Sequence, residues 1–322
     1  MPKNLFSLLR ISSLAIAAIL ISYTLTSYDT GKDTNNFFIG SKNNPPARVE
    51  SQSKTYQITN PEITGLAGRW GVAVKDLKTD ETYLLAADEK FPAASIYKLA
   101  TLYKAYDAIS AGELKKDDVV SGSISSLQET LSPADASPIR EPRDEPEYTS
   151  MSVENALNLM ITISDNSAAI LLSERLGWGN IDAFMEAQNL AGIDLVEKDS
   201  PTVTAASILA LLERIYRHTA VDWQSSEEMQ QLLFAQKVND RIPKYLPEAT
   251  RIGHKTGELE DVRHDAGIVL GQQSHYIFVF LTQSANPTEA AENIAKLSKG
   301  IYDAMEARWS LKTNSLLAYT SV

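Results

Sequence analysis

The sequence contains no cysteine. That removes disulfides, thiolate–zinc sites, a thiol nucleophile and a lipidated-cysteine anchor. It does not identify a compartment, because exported proteins also occur without disulfides. Histidine is scarce: His218, His254, His264 and His275 are the only four. None belongs to an H-E-x-x-H, so zinc hydrolysis has no motif behind it, and neither a metal nor a cofactor is expected. Basic charge is outnumbered, with 30 Lys and Arg against 41 Asp and Glu and a net charge of −11. A nucleic-acid binder concentrates basic charge on one face, so a nucleic-acid partner is not expected. Internal repeats are absent, and long apolar runs are absent except at the N-terminus.

At that terminus Lys3 and Arg10 precede an uncharged stretch, Ile11 to Tyr28, with an apolar centre from Leu14 to Ile21. A positive flank and an apolar run read as an export signal. A spanning helix uses ~20 apolar residues, and this stretch is marginal for one. Thr24 to Ser27 make a poor A-x-A-like cleavage site, which favours an uncleaved anchor over a cleaved signal. Lys3 and Arg10 would hold the terminus in the cytoplasm and place the rest outside. Residues 1–28 are therefore read as a signal peptide or signal anchor. Residues 29–56, rich in Asn, Ser and Pro, are read as a disordered linker. Residues 57–310 form the folded domain and 311–322 a C-terminal tail. A hydrophobic content of 43% suffices for a sizeable core, and a monomer is the default expectation.

Within the domain, Trp70–Leu77 and Thr82–Ala86 read as a hairpin. Ser95–Ala111 reads as a helix, with Leu99, Leu102, Tyr103, Tyr106 and Ile109 at helical spacing and Gly112 at its stop. Residues 121–150, with Pro133, Pro138, Pro142 and Pro146, read as a long irregular loop. Val153–Thr162, Ser167–Leu176, Ile181–Asn189 and Ala205–Tyr216 resume helical periodicity. Arg263–Leu270 and Tyr276–Thr282 read as strands, and Pro287–Trp309 as a long helix. Two early strands and about three late ones can pair, which predicts an α+β fold. Its five-stranded antiparallel sheet is flanked by N- and C-terminal helices and joined to an all-helical lobe.

Three short motifs carry chemistry. The first is Ser95-Ile96-Tyr97-Lys98, an S-x-x-K. Alone it says little, since Ser51-Gln52-Ser53-Lys54 in the linker has the same pattern. At a helix start, however, positions i and i+3 share a face, so Lys98 points back at Ser95. A serine hydroxyl needs a base to attack. A lysine amine serves once burial or a second cation lowers its pKa, and Lys255 is a candidate for that cation. The bland alternative is an N-cap serine beside a solvated lysine. The second motif, Ser164-Asp165-Asn166, interrupts an apolar stretch; it is either a satisfied turn between helices or a proton relay with an orienting amide. The third, Lys255-Thr256-Gly257, offers a cation, a hydroxyl and a glycine that admits close approach. Its bland alternative is an ordinary edge strand.

The conjunction and order of S-x-x-K, S-D-N and K-T-G resemble the class A β-lactamase family of penicillin-recognising serine hydrolases. The resemblance covers roughly residues 65–310. It implies that Ser95 is acylated, that Lys98 is the general base or part of its relay, and that Ser164 passes the proton to the leaving amine. It implies that Asn166 binds the acyl-amide side chain, and that Lys255 and Thr256, with Gly257 beside them, hold the substrate carboxylate. The backbone amides of Ser95 and Glu258 would form the oxyanion hole. Arg263 looks like the family's carboxylate-binding arginine; otherwise it pairs with Asp261 or Asp265.

The family's E-x-x-L-N, whose Glu activates the deacylating water, is missing. The chain instead runs from Leu190 through Glu197 and Asp199 to Thr202 in a shortened segment. Glu197 or Asp199 is either a stand-in or a solvated loop residue. The leading expectation is an exported or membrane-anchored enzyme opening β-lactams through a Ser95 acyl-enzyme, with slow deacylation. The alternatives are a D-alanyl-D-alanine peptidase acting on peptidoglycan stem peptides, and an acylated sensor that does not turn over.

Overall fold

The computed structural model describes Ile63 and residues 65–123, 148–196 and 201–319, the segment 311–319 by its backbone course alone. β1 (Arg69–Asp76) and β2 (Thr82–Leu85) form the expected hairpin. β8 (Arg251–Glu258), β9 (Arg263–Leu270) and β10 (His275–Gln283) complete the main sheet. Among the described residues its order is β2-β1-β10-β9-β8, every neighbouring pair antiparallel. The order leaves one edge of β8 open.

Alternate side chains of each strand face opposite sides, and here both sides are apolar. Val72, Val74, Phe278 and Phe280 pack with Ile294, Ile301 and Met305 of the last helix, α7 (Pro287–Tyr319). Ala73, Ile268, Ile277 and Val279 pack into the larger core shared with the helical lobe. That lobe comprises α1 (Lys98–Ser110), α2 (Val153–Thr162), α3 (Asn166–Leu176), α4 (Trp178–Ala187), α5 (Ala205–Tyr216) and α6 (Trp223–Phe234). The mixed architecture is the α+β fold that the element order predicts.

Four of these helices begin on a side-chain cap. Ser152, Asp165, Thr204 and Asp222 accept from the amides of Asn155, Ala168, Ser207 and Ser225, each cap contributing ~1 kcal/mol. Gly177, at φ 84°, lets the chain turn from α3 into α4.

Several expectations are corrected. The segment 121–150 is not irregular at its ends: β4 (Val119–Ser123) pairs with β5 (Tyr148–Ser152) along their whole length. Its proline-rich middle lies outside the described residues. α6 was not expected; its buried face mixes Met229 and Leu233 with Ser226 and Gln230. A small sheet, β3 (Phe91–Pro92), β7 (Thr202–Val203) and β6 (Ile193–Asp194), stands beside the shortened segment, in the order β3-β7-β6. The terminal helix continues past Trp309 to Tyr319, through most of the expected tail. The signal, the linker and the N-terminal flanking helix lie outside the described residues. Among the described residues no helix is long and apolar enough to cross a membrane.

Candidate active site

Ser95 sits in a 3-10 turn, Ala94–Tyr97, and not on the α-helix, which starts at Lys98. The Lys98 amide bonds back to the Ser95 carbonyl. Lys98 thus closes the turn that carries Ser95 and opens the helix after it. Ser95 is not an N-cap: those positions fall on Ala93 and Tyr97, neither with a side-chain cap bond. Ala94 is held at φ 43°, a left-handed conformation costing a residue with a Cβ roughly 1–3 kcal/mol. Ser95 is partly exposed, whereas Lys98 is fully buried.

Ser164, between α2 and α3, is also held in the left-handed region, at φ 60°. Its Oγ accepts from Lys255 Nζ at 2.8 Å and lies 3.3 Å from Lys98 Nζ. Lys98 Nζ also donates to the Ser164 carbonyl and to Asn166 Oδ1, both at 2.7 Å. These two partners can only accept, so they engage two Lys98 protons and fix the direction of the amine. Asp165 takes no part in this: its carboxylate caps α3 by accepting from the Ala168 amide at 2.7 Å. The S-D-N motif thus divides into two polar contacts for lysines and one helix cap.

Lys255, Thr256 and Gly257 are buried on β8. Burial first, and then the charge of Lys98, hold the Lys255 amine well below the usual lysine value of 10.5, with Arg241 adding to the fall and Asp265 opposing it. Lys255 was a candidate for the cation beside Lys98, and the two amines are close enough for the Lys98 charge to be felt at Lys255. Gly257 is needed for closeness. A Cβ there would lie 3.1 Å from Ile96 Cγ1, 3.2 Å from Ala94 Cβ and 3.3 Å from His264 Cβ, so the bare backbone lets β8 rest against the nucleophile turn.

The register fixes where the Glu258 amide points. Leu259 N–H donates to the Val262 carbonyl, and Glu258 stands opposite Arg263. Hydrogen-bonded and non-bonded pairs alternate in an antiparallel ladder, so the Glu258 amide faces away from β9, off the open edge. The Ser95 amide belongs to the first turn of its helix, where donors lack intrahelical acceptors. Both amides proposed for the oxyanion hole are therefore of the kind left over by the ladder and the helix.

Arg263 pairs with neither Asp261 nor Asp265. Its Nη1 donates to the carbonyls of Leu259 at 2.6 Å and Val262 at 2.7 Å, bracing the β8–β9 turn. A different arginine reaches the site. Arg241 is completely buried, pairs with the Glu258 carboxylate and lies 3.4 Å from the His264 carbonyl. It belongs to no motif, and nothing in the sequence singled it out. His264 was also missed. It joins the main sheet to the nucleophile segment, with Nδ1 accepting from the Thr282 amide at 3.0 Å and Nε2 donating to the Pro92 carbonyl at 2.8 Å. Burial pushes its pKa down to about 4, which keeps the ring neutral, and the two hydrogen bonds fix its tautomer. Glu197 and Asp199 lie outside the described residues.

The result is a partly exposed serine on a strained turn, two buried amines meeting at one hydroxyl, and outward-facing amides nearby. That set can attack a carbonyl, move a proton and hold an oxyanion and an anion.

A family model described as "Beta-lactamase enzyme family" matches residues 55–305. The β-lactamase VEB-1 of Pseudomonas aeruginosa is 23% identical over 291 residues, covering 83% of this chain and 93% of its own. Among solved structures, a β-lactamase from Chitinophaga pinensis is 23% identical with a TM-score of 0.67, covering 78% of this chain and 99% of its own. A point mutant of PBP-A, solved as an acyl-enzyme complex with penicillin G, is 21% identical with a TM-score of 0.68, covering 79% of this chain and 96% of its own. These likenesses establish a shared fold, and the family match spans nearly all of the described domain, so the chain belongs to the β-lactamase enzyme family.

Proposed function

We propose that the protein opens β-lactams through an ester on Ser95. Family membership supports hydrolase chemistry on β-lactams, and the carrying observation is the meeting of Lys98 and Lys255 at Ser164 Oγ. Ser95 Oγ attacks the lactam carbonyl, and its proton passes to the Lys98 amine acting as base. The carbonyl oxygen becomes an oxyanion between the amides of Ser95 and Glu258. The C–N bond breaks as Ser164 gives its proton to the lactam nitrogen, to be reprotonated from the Lys98 side. Lys255 and Thr256 hold the substrate carboxylate, and Asn166 orients the acyl-amide chain. Water then hydrolyses the ester, releasing the ring-opened acid.

That last step is slow in this reading. The sequence has no E-x-x-L-N between S-D-N and K-T-G, and general-base help to water is worth ~10²–10⁴-fold. The same absence favours the peptidase as a second reading, in which the acyl donor is a peptidoglycan stem peptide. The related PBP-A mutant, solved as a penicillin G acyl-enzyme, supports a stable ester in this fold. We place the domain outside the cytoplasm, with residues 1–28, whose Lys3 and Arg10 precede an apolar run, as its signal or anchor.

The test is peptide mapping of the purified protein after exposure to benzylpenicillin, beside Ser95→Ala. A penicilloyl group on the peptide containing Ser95, absent from the variant, is the expected result. Labelling elsewhere, or hydrolysis undiminished in Ser95→Ala, contradicts the proposal.

A further inference from the structure

The carboxylate of Glu258 occupies a cation beside the K-T-G motif. Arg241 is fully buried, and its Nη2 pairs with Glu258 Oε1, with Asp240 further off at 3.7 Å. Arg241 flanks the K-T-G motif: it lies 3.4 Å from the carbonyl of His264, the residue paired with Gly257, and it holds the side chain of Glu258, the next residue. Its guanidinium is the fixed positive charge on which a substrate carboxylate would settle. Arg241 is anchored from behind by the His264 carbonyl at 3.4 Å, so it cannot leave for another partner without opening the core. Its Nε has no partner among the described residues. Glu258 differs: it stands at the open end of β8 and is half exposed, at 48%, so its side chain can swing away.

We infer that Glu258 is a specificity-determining residue, a built-in competitor that a substrate carboxylate must displace from Arg241. The inference rests on the proposed function of the same site. Its chemistry is simple exchange: one carboxylate leaves a guanidinium and another takes its place, with no bond made or broken. The occupied arginine lowers the advantage of acyl donors that carry a free carboxylate next to the scissile amide. It leaves the site more tolerant of neutral or esterified donors than an unoccupied Arg241 would be. The role belongs to the side chain alone, whereas the Glu258 backbone amide faces the oxyanion.

The experiment compares acylation of Ser95 by benzylpenicillin and by its methyl ester in wild type, Glu258→Gln and Glu258→Asp. Each is followed as adduct formation against time. The reading is the ratio of the two efficiencies. In Glu258→Gln it should shift towards the free acid by about two- to fivefold, the scale of a half-exposed ion pair. In Glu258→Asp, whose carboxylate is one methylene shorter, it should shift by less. An unchanged ratio, or one that moves towards the ester, overturns the inference while leaving the Ser95 mechanism intact. A wild type that forms no Ser95 adduct with either compound removes both. Melting temperatures identify a variant that has failed to fold, in which case the other variant decides.

Discussion

Lys98 and Lys255 converge on one hydroxyl, with Ser164 Oγ 3.3 Å from the first amine and 2.8 Å from the second. Ser164 Oγ has two acceptor lone pairs, one for each amine, so a single hydroxyl holds the two lysines in place. Ser164→Ala should therefore lower the acylation rate by about 10²–10⁴-fold and reduce stability by about 1–3 kcal/mol, because a buried donor loses its acceptor. Ser164→Gly separates hydroxyl from strain. It relieves the φ of 60°, so it should be as slow as Ser164→Ala but less destabilised. Stopped-flow acylation and urea titration measure the two quantities.

Lys255 gives a stability signature in pH. Its pKa is lower folded than the usual 10.5, so in the window below 10.5 the unfolded chain binds a proton that the native chain does not. Stability then rises with pH across that window. The difference in unfolding free energy between wild type and Lys255→Met should move in favour of wild type as pH increases. A difference that is flat, or that falls with pH, contradicts the assignment.

His264 works in the acid range. Its pKa is about 4 against an ordinary 6.5, so its contribution is present above 6.5 and is lost as pH falls from 6.5 through 4. The loss is about 3 kcal/mol by linkage. His264→Gln should flatten the dependence of the urea midpoint between these pH values. Retention of the wild-type slope would show that other groups carry it.

Gly257→Ala should push β8 off the nucleophile turn. The new methyl meets Ile96, Ala94 and His264 at 3.1 to 3.3 Å, so each neighbour must yield a few tenths of an ångström. Acylation should fall by roughly tenfold or more, as small misplacements of reacting groups do, with a stability loss of about 1 kcal/mol. An acylation rate equal to wild type would mean that this contact does not position Ser95.

The motifs were legible because their order survives translation into space. S-x-x-K predicts a helix start, and a 3-10 turn leading into α1 supplies it; Ser164 and Lys255, 91 residues apart, meet. The helices with apolar stripes were legible for the same reason. α6 was not, because its buried face is partly polar. Ser226 donates to the Ala220 carbonyl at 2.7 Å and Gln230 to the Ile215 carbonyl at 2.9 Å, contacts that no hydrophobic period reveals. Arg241 and His264 were equally hidden. Their roles depend on which carbonyls and carboxylates the tertiary fold brings near, and a single charged letter carries no such information.

The lifetime of the Ser95 ester tests the central claim most directly. Excess benzylpenicillin is mixed with the protein, free antibiotic is removed, and the adduct mass is followed by intact-mass spectrometry, with ring opening monitored in parallel. The account predicts an adduct that forms in wild type, is absent in Ser95→Ala, and persists for minutes or longer. An adduct too short-lived to detect, with many penicillins opened per second, would contradict it and require an efficient water-activating group.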